Sequence, residues 1–350
     1  MKKSFVFSFL LLLGGIMYAH DFTATINGQK IYFKITSNLN KTAEVTYNGS
    51  ITNNQCSYYE GDLDIPAKVK YNNEVYSIVG VGAKAFSGAD KLTGVAFPSV
   101  IEYIDDFAFE GCTSLSRIIF PGQAVTFGEG VFFKCDKIQD VSFGSDWKEL
   151  NLQMFRWSDS LKVINIPAKV EKIKNLKSLM SLEQVVVDLN NSRFSSEDGV
   201  LYNKNKDVLY GCPRSYKSTL AVYPSTKTIT KGALIDCKNL EVVVLPDSLQ
   251  SLSYKEFSRM QNLKEIVFKS DSPINTAVIN NKEVFALTVY NQNVKLVVSK
   301  KSLKTYRSAL VQEGGEYAEI GDKIPYIIRT DEMLQNKNIV GVKNFKMYDF

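Results

Sequence analysis

Histidine is almost absent from this chain. The single one, His20, stands at the edge of the N-terminal segment, so the body of the protein has no imidazole. That excludes Ser-His-Asp and Cys-His nucleophilic catalysis, and His-containing zinc sites. Tryptophan is scarce too: only Trp147 and Trp157 occur in 350 residues. No glycine-rich phosphate loop or dinucleotide fingerprint is present. The acids Asp62, Asp64, Asp105 and Asp106 lack the ligand spacing of a calcium loop. Nothing local favours carboxylate or Ser-Lys chemistry, so neither an enzyme nor a cofactor is expected. Basic residues are scattered, and the formal charge of +5 falls to +3 without Lys2 and Lys3. This is not a nucleic-acid footprint. Beyond the N-terminal segment no stretch approaches the roughly 20 apolar residues of a membrane span.

That segment has its own logic. Lys2 and Lys3 precede an apolar run from Phe5 to Leu13, broken only by Ser8. Gly14, Gly15 and Ala19 follow. A short charged start, an apolar core and small residues make the layout of a signal peptide over residues 1–19. Export follows, to the periplasm, the cell surface or the medium.

The strongest signal is self-similarity. One frame recurs around a leucine position held by Leu92, Leu115, Ile138, Leu161, Leu182, Leu240 and Leu263, with spacings of 23, 23, 23, 21, 58 and 23 residues. Six residues earlier stand Phe86, Phe109, Phe132, Phe155, Leu176, Leu234 and Phe257. Three and five residues later come apolar pairs such as Ile118/Phe120, Val141/Phe143 and Val243/Leu245, and several copies then carry Pro. The alternating end reads as a short strand, which proline stops because it lacks an amide donor. The Ala-Phe stretch reads as a turn or short helix leading back. One such coil cannot bury its own apolar face, so coils must stack like on like, with their strands parallel. The long gap decomposes as 23 plus 35 residues. Its extra material holds Val200-Leu201-Tyr202 and Val208-Leu209-Tyr210 about a polar turn, which reads as an inserted β-hairpin at about 189–224.

The frame from Ile104 to Pro121, together with Asp198-Gly199-Val200-Leu201-Tyr202, resembles the BspA-type leucine-rich repeat of Bacteroides-like exported surface proteins. Tyr32 to Thr36 and Glu44 to Tyr47 resemble the β-rich N-terminal part of such proteins. Leu296-Val297-Val298 followed by Ser302 to Tyr306 resembles their closing strand and helix, although Ser299 stands where the family often has proline. The resemblance covers about residues 22–310. It implies a leucine-rich-repeat solenoid, an exported location, and a role in adhesion and protein binding without naming a ligand.

The expected fold is therefore an α+β solenoid of parallel, stacked short strands. A β-rich N-terminal cap at 21–77 leads into repeats at 78–270 with the hairpin insertion, and residues 271–350 close the stack. Caps are needed because terminal coils would otherwise expose core and strand edges.

Five cysteines leave one unmatched in any disulfide scheme. Cys112, Cys135 and Cys237 share one slot, three residues before the leucine, with Ala89, Ser158, Leu179 and Met260. A slot that accepts small or flexible apolar side chains points to buried thiols. A Cys112–Cys135 bridge is the alternative; adjacent coils bring the backbones close, but parallel side chains strain the dihedral. Cys56 and Cys212 fall outside the frame.

Two surfaces are candidates for binding. Two and four residues after the leucine, side chains should face water, yet Ile119, Val163, Val186, Val242, Val244 and Val267 are apolar. An apolar row in water marks a binding face. The alternatives are plain strand propensity, or coverage by residues after 270. On the turn side, Phe133, Arg156 and Trp157 occupy slots that are otherwise mostly small or polar. Trp and Arg are common interface anchors and also suit stacking on sugar rings. Trp147, which shares a slot with Ile78, Ile101 and Leu249, belongs to the core. The chain thus reads as a non-catalytic protein-binding or adhesion module whose partner is a host matrix or envelope protein. Glycan binding that aids polysaccharide capture is the alternative.

Overall fold

The computed structural model describes residues 20–49, 56, 58–252, 257, 259–270, 294–299 and 326–329. The signal-like residues 1–19, the expected helix at Ser302 to Tyr306 and most of the closing segment lie outside these residues.

The chain opens as an antiparallel meander of Phe22–Ile26, Gln29–Ser37 and Thr42–Thr46. The first turn is Asn27-Gly28, both residues left-handed at φ 48° and 82°. That backbone matches the twist of a two-residue hairpin. Thr42–Thr46 then pairs in parallel with Glu74–Val81, which leads to Tyr103–Ile104 and Thr126–Phe127. The N-terminal region therefore extends the first ladder of the solenoid and covers its end. A second ladder starts at Glu60–Asp64 and runs through Lys91–Ala96, Arg117–Ile119 and Asp140–Ser142.

A third ladder lies on the turn side. Phe86 N–H donates to Ala108 C=O at 2.8 Å and Gly88 N–H to Glu110 C=O at 2.7 Å; one coil on, Phe109 donates to Val131 and Gly111 to Phe133. These amides reach across to the next coil, so they are not free for a helix within the coil. This corrects the expected α+β class. The described residues are strands and turns, with two short 3-10 turns, Leu152–Phe155 and Leu176–Ser178, as their only helical elements. The backbone gives the reason. Left-handed residues recur four apart in the returning stretch: Lys84 and Gly88, Phe107 and Gly111, Gly130 and Lys134, Gly232 and Asp236. No α-helical turn continues through such a pair. The 3-10 turns occur in the two coils whose corresponding residues, Trp157 and Ser178, are not left-handed.

Packing follows the slots. Phe86, Phe109, Phe132 and Phe155 form one stack, with ring centroids 4.9, 5.4 and 5.5 Å apart. Phe97, Phe120 and Phe143 form a second, at 5.5 and 5.4 Å. Each fully buried ring contributes about 1.5–3 kcal/mol by transfer, with about 0.5–1.5 kcal/mol more per aromatic pair. Trp147 is buried, its indole N–H on Pro121 C=O at 2.8 Å.

The insertion is larger than a hairpin. Phe194–Glu197, Val200–Asn203 and Val208–Gly211 form a three-stranded meander, turned first at Asp198-Gly199 (φ 51° and 82°). Its last strand rejoins the solenoid by pairing in parallel with Thr228–Ile229. After it runs a coil that the repeat frame does not reveal. Cys212 N–H donates to Ala233 C=O as Phe86 does to Ala108, and Tyr216 N–H to Pro213 C=O as Leu115 does to Cys112. Cys212 thus holds the phenylalanine slot, Pro213 the thiol slot and Tyr216 the leucine slot. The separation of the first two is shortened from three positions to one, so a pattern of fixed spacing misses the copy. The meander also divides the interior. One core runs from Phe22 to Leu201 and another from Val200 to Val298.

Candidate functional site

The outward strand face divides into two unlike halves. In the first, Ile119, Val163 and Val186 are exposed (39%, 38% and 43%). Register scatters them. Ile119 lies between Ala96 and Ser142, Val163 beside Gln184, and Val186 beside Asn165. They are single large apolar side chains among small or polar neighbours, not a continuous patch. In the second half the expectation of solvent exposure fails. Val242, Val244 and Val267 are 6%, 3% and 1% exposed. They form a small cluster of their own with Val297, separate from both main cores. Register lines up Ala221, Val244, Val267 and Val297 on four neighbouring strands. Valines this dry on an outward strand face form a second buried layer, so these three positions are packing and not a free surface.

The turn side assembles what the sequence only placed nearby. Phe133 and Trp157 sit on successive coils with ring centroids 5.7 Å apart, edge to face. The Arg156 guanidinium lies 5.2 Å from the Trp157 ring centre and the Lys134 ammonium 5.2 Å from that of Phe133. Trp157 is 48% exposed and Phe133 half-buried. Cations over aromatic faces are attracted by the ring quadrupole, about 0.5–1 kcal/mol each at exposed sites. The backbone beneath is pinned by the turn ladder, with Gly111 N–H on Phe133 C=O at 2.8 Å. Two rings and two cations are thereby held in one arrangement before any partner arrives. Lys134 was not singled out from sequence; it lies next to Phe133 and its slot is commonly small or polar.

All five cysteines are free and buried. The thiols of Cys112 and Cys135 donate to the carbonyls of Phe86 (3.2 Å) and Phe109 (3.0 Å), each in the phenylalanine slot one coil earlier. Ser158 holds the same slot in the next coil, but its buried hydroxyl has no hydrogen-bond partner. The C–O bond is shorter than C–S and reaches less far. Cys56 donates to Ala85 C=O at 3.4 Å, ahead of the first full coil. Cys212 lies next to Cys237, under Lys177. Among the described residues no three His, Cys, Asp or Glu side chains gather to hold a metal ion, and no helix is long and apolar enough to cross a membrane.

A family profile described as "BspA type Leucine rich repeat region" matches the chain in six copies, over residues 79–198 and 186–288. No curated protein matches significantly. Solved structures of leucine-rich repeat proteins match the chain at low identity. A leucine-rich repeat protein from Eubacterium ventriosum is 20% identical, with 80% of this chain and 78% of that chain covered and a TM-score of 0.47. One from Bacteroides ovatus is 19% identical, with 77% of each chain covered and a TM-score of 0.41. A leucine-rich cell surface protein from Faecalibacterium prausnitzii is 19% identical, covering 72% of this chain and 77% of that one, with a TM-score of 0.39.

Proposed function

Since this chain belongs to the BspA-type leucine-rich repeat family, we propose that it is an exported, non-catalytic repeat protein that binds a protein partner through the turn-side patch of Phe133, Lys134, Arg156 and Trp157. One observation carries the reading. Trp157 is 48% exposed in a slot held elsewhere by small or polar residues, and it is braced by Phe133 and Arg156. A large ring fixed in water is an unused anchor. Aromatic and Arg side chains dominate the energetics of protein interfaces, and a preorganised site loses little entropy on binding. The two cations select a partner whose carboxylates border an apolar pocket. Ile119, Val163 and Val186 are the auxiliary contacts proposed on the strand face. Glycan capture is the second reading, and it rests on the same exposed indole. Arg156 already occupies one face of that ring, leaving only the other for a sugar.

Export rests on the layout of residues 1–19. It is tested by the mass of the protein recovered outside the cytoplasm, which should lack those residues. Binding is tested with purified residues 21–350 against immobilised host matrix proteins, envelope extracts and a glycan array. Saturable protein binding that weakens at least tenfold in Trp157→Ala supports the reading. Glycan hits lost in the same variant would replace it with carbohydrate capture. Protein binding indifferent to Trp157→Ala would move the site off the turn side.

A further inference from the structure

The pair Cys212 and Cys237 stands apart from the other buried thiols. Cys237 occupies the thiol slot of its coil, and Cys212 the phenylalanine slot of the coil before. The Cys237 sulfur lies 3.7 Å from the Cys212 carbonyl and 3.4 Å from that of Pro213. The two thiols are near enough to bear on each other's protonation. From the far side of the insertion, half-buried Lys177 reaches in. Its ammonium donates to Cys212 C=O at 2.8 Å and to the Cys237 sulfur at 3.3 Å.

The charges around this ammonium decide its role. Asp236 is the nearby carboxylate, and it is taken by two arginines: Arg214 at 2.9 Å and Arg259 at 3.0 Å. Arg214 also donates to Lys177 C=O at 2.9 Å. Lys217, whose charge also bears on Cys212, pairs with Asp198. Among the described residues no carboxylate forms an ion pair with Lys177. A partly buried ammonium without a counterion is costly. The anion within reach is a Cys237 thiolate.

We propose that Cys237 and Cys212 form a peroxide-oxidisable dithiol, with Cys237 as the attacking thiolate, Cys212 as the resolving thiol and Lys177 as the counterion. The co-reactant is a small hydroperoxide, hydrogen peroxide itself being the simplest. Both cysteines are wholly buried, which shuts out bulky disulfides. The Cys237 sulfur attacks one peroxide oxygen; the S–O bond forms, the O–O bond breaks and hydroxide leaves. Cys212 gives up its proton and attacks the Cys237 sulfur; the S–S bond forms, the S–O bond breaks and water leaves. Two thiols are oxidised by two electrons and one peroxide is reduced to two waters.

The protonation balance agrees. The neighbouring Cys212 thiol, together with Lys177 and Arg214, holds the Cys237 thiol down to about 7 against its burial. Burial pushes Cys212 well up, as a proton-bearing partner requires. Cys112 and Cys135 supply an internal control. Each donates instead to a carbonyl of the coil before, no cation among the described residues bonds to either, and burial pushes Cys112 well up. Reactivity follows thiolate character, so the two pairs should part company.

The test treats the reduced full chain with hydrogen peroxide, blocks remaining thiols, unfolds the protein and maps it by peptide mass spectrometry. The expected result is a Cys212–Cys237 linked peptide that forms at least about tenfold faster than any oxidation at Cys56, Cys112 or Cys135. In Cys212→Ser, Cys237 should instead accumulate as a sulfenic acid trapped by a 1,3-diketone. Lys177→Met, checked for folding by circular dichroism, should slow the crosslink about tenfold. Equal oxidation of all five thiols, or Cys237 sulfinic acid without the crosslink, would overturn the proposal. An unchanged rate in folded Lys177→Met would remove the counterion role. The comparison among wild-type thiols stands even if a variant fails to fold.

Discussion

The coils before the insertion and the coils after it solve one packing problem in two ways. Before it, four of the five phenylalanine slots hold phenylalanine, Leu176 being the exception, and four stacked rings run from Phe86 to Phe155. The outward strand faces stay wet: Val163–Ile166 alternates exposed and buried. After it, the same slot holds Cys212, Leu234 and Phe257. Strands Val242–Leu245 and Glu265–Phe268 are buried on both faces. The first block draws its cohesion from aromatic volume inside. The second has less volume inside and adds a dry layer outside. A repeat frame sets where side chains point, and leaves open how much apolar volume each side must supply.

The thiols report on each block separately, which makes the contrast breakable. Phe109→Ala should have the largest effect, a loss of about 3–5 kcal/mol. In denaturant it should expose Cys112 and Cys135 to labelling while Cys237 stays protected; simultaneous exposure would mean that the two cores unfold as one. Val244→Lys comes next, because it buries an ammonium without a partner. It should cost about 3 kcal/mol or more and expose Cys237 first. Val186→Lys, four residues after its leucine as Val244 is, should change stability by less than about 0.5 kcal/mol. If the two lysines cost the same, the second dry layer does not exist. Ser158→Cys should raise stability by about 1 kcal/mol, because the longer C–S bond lets this slot bond as Cys112 and Cys135 do. Trp157→Ala should change stability by less than about 1 kcal/mol while partner binding is lost.

Much of this was legible in the chain. Leucine spacing fixed the coils, and the period-two ends fixed which residues face the core. The slot shared by Ile78, Ile101, Trp147 and Leu249 placed Trp147 inside, where it is buried. The pairing of Phe133 with Trp157 follows from their slots on successive coils. Other features were hidden for physical reasons. The coil of Cys212, Pro213 and Tyr216 shortens its turn by two residues, so a pattern of fixed length passes over it. The turn residues read as a possible helix because Ala and Phe tolerate one. Their amides reach instead to the next coil, and left-handed residues such as Lys84, Phe107 and Lys134 carry no sequence mark of that conformation. The cluster of Lys177, Cys212 and Cys237 spans 61 positions of the chain, and only the path of the inserted meander brings it together.

Two strands state the division plainly. Gln184–Val187 reads Gln-Val-Val-Val and Val242–Leu245 reads Val-Val-Val-Leu. The sequence alone determined that both are strands, that both begin two residues past a leucine slot, and that Val185 and Val243 face the core. It did not determine the fate of the opposite face: Val186 is 43% exposed and Val244 is 3% exposed. A strand's own residues set which side each side chain takes, because alternation is built into the backbone. Whether that side is wet depends on what the assembled structure packs against it. Val186 has Asn165 beside it, while Val244 has Val267 and then Val297, and that neighbourhood is a property of the assembled stack.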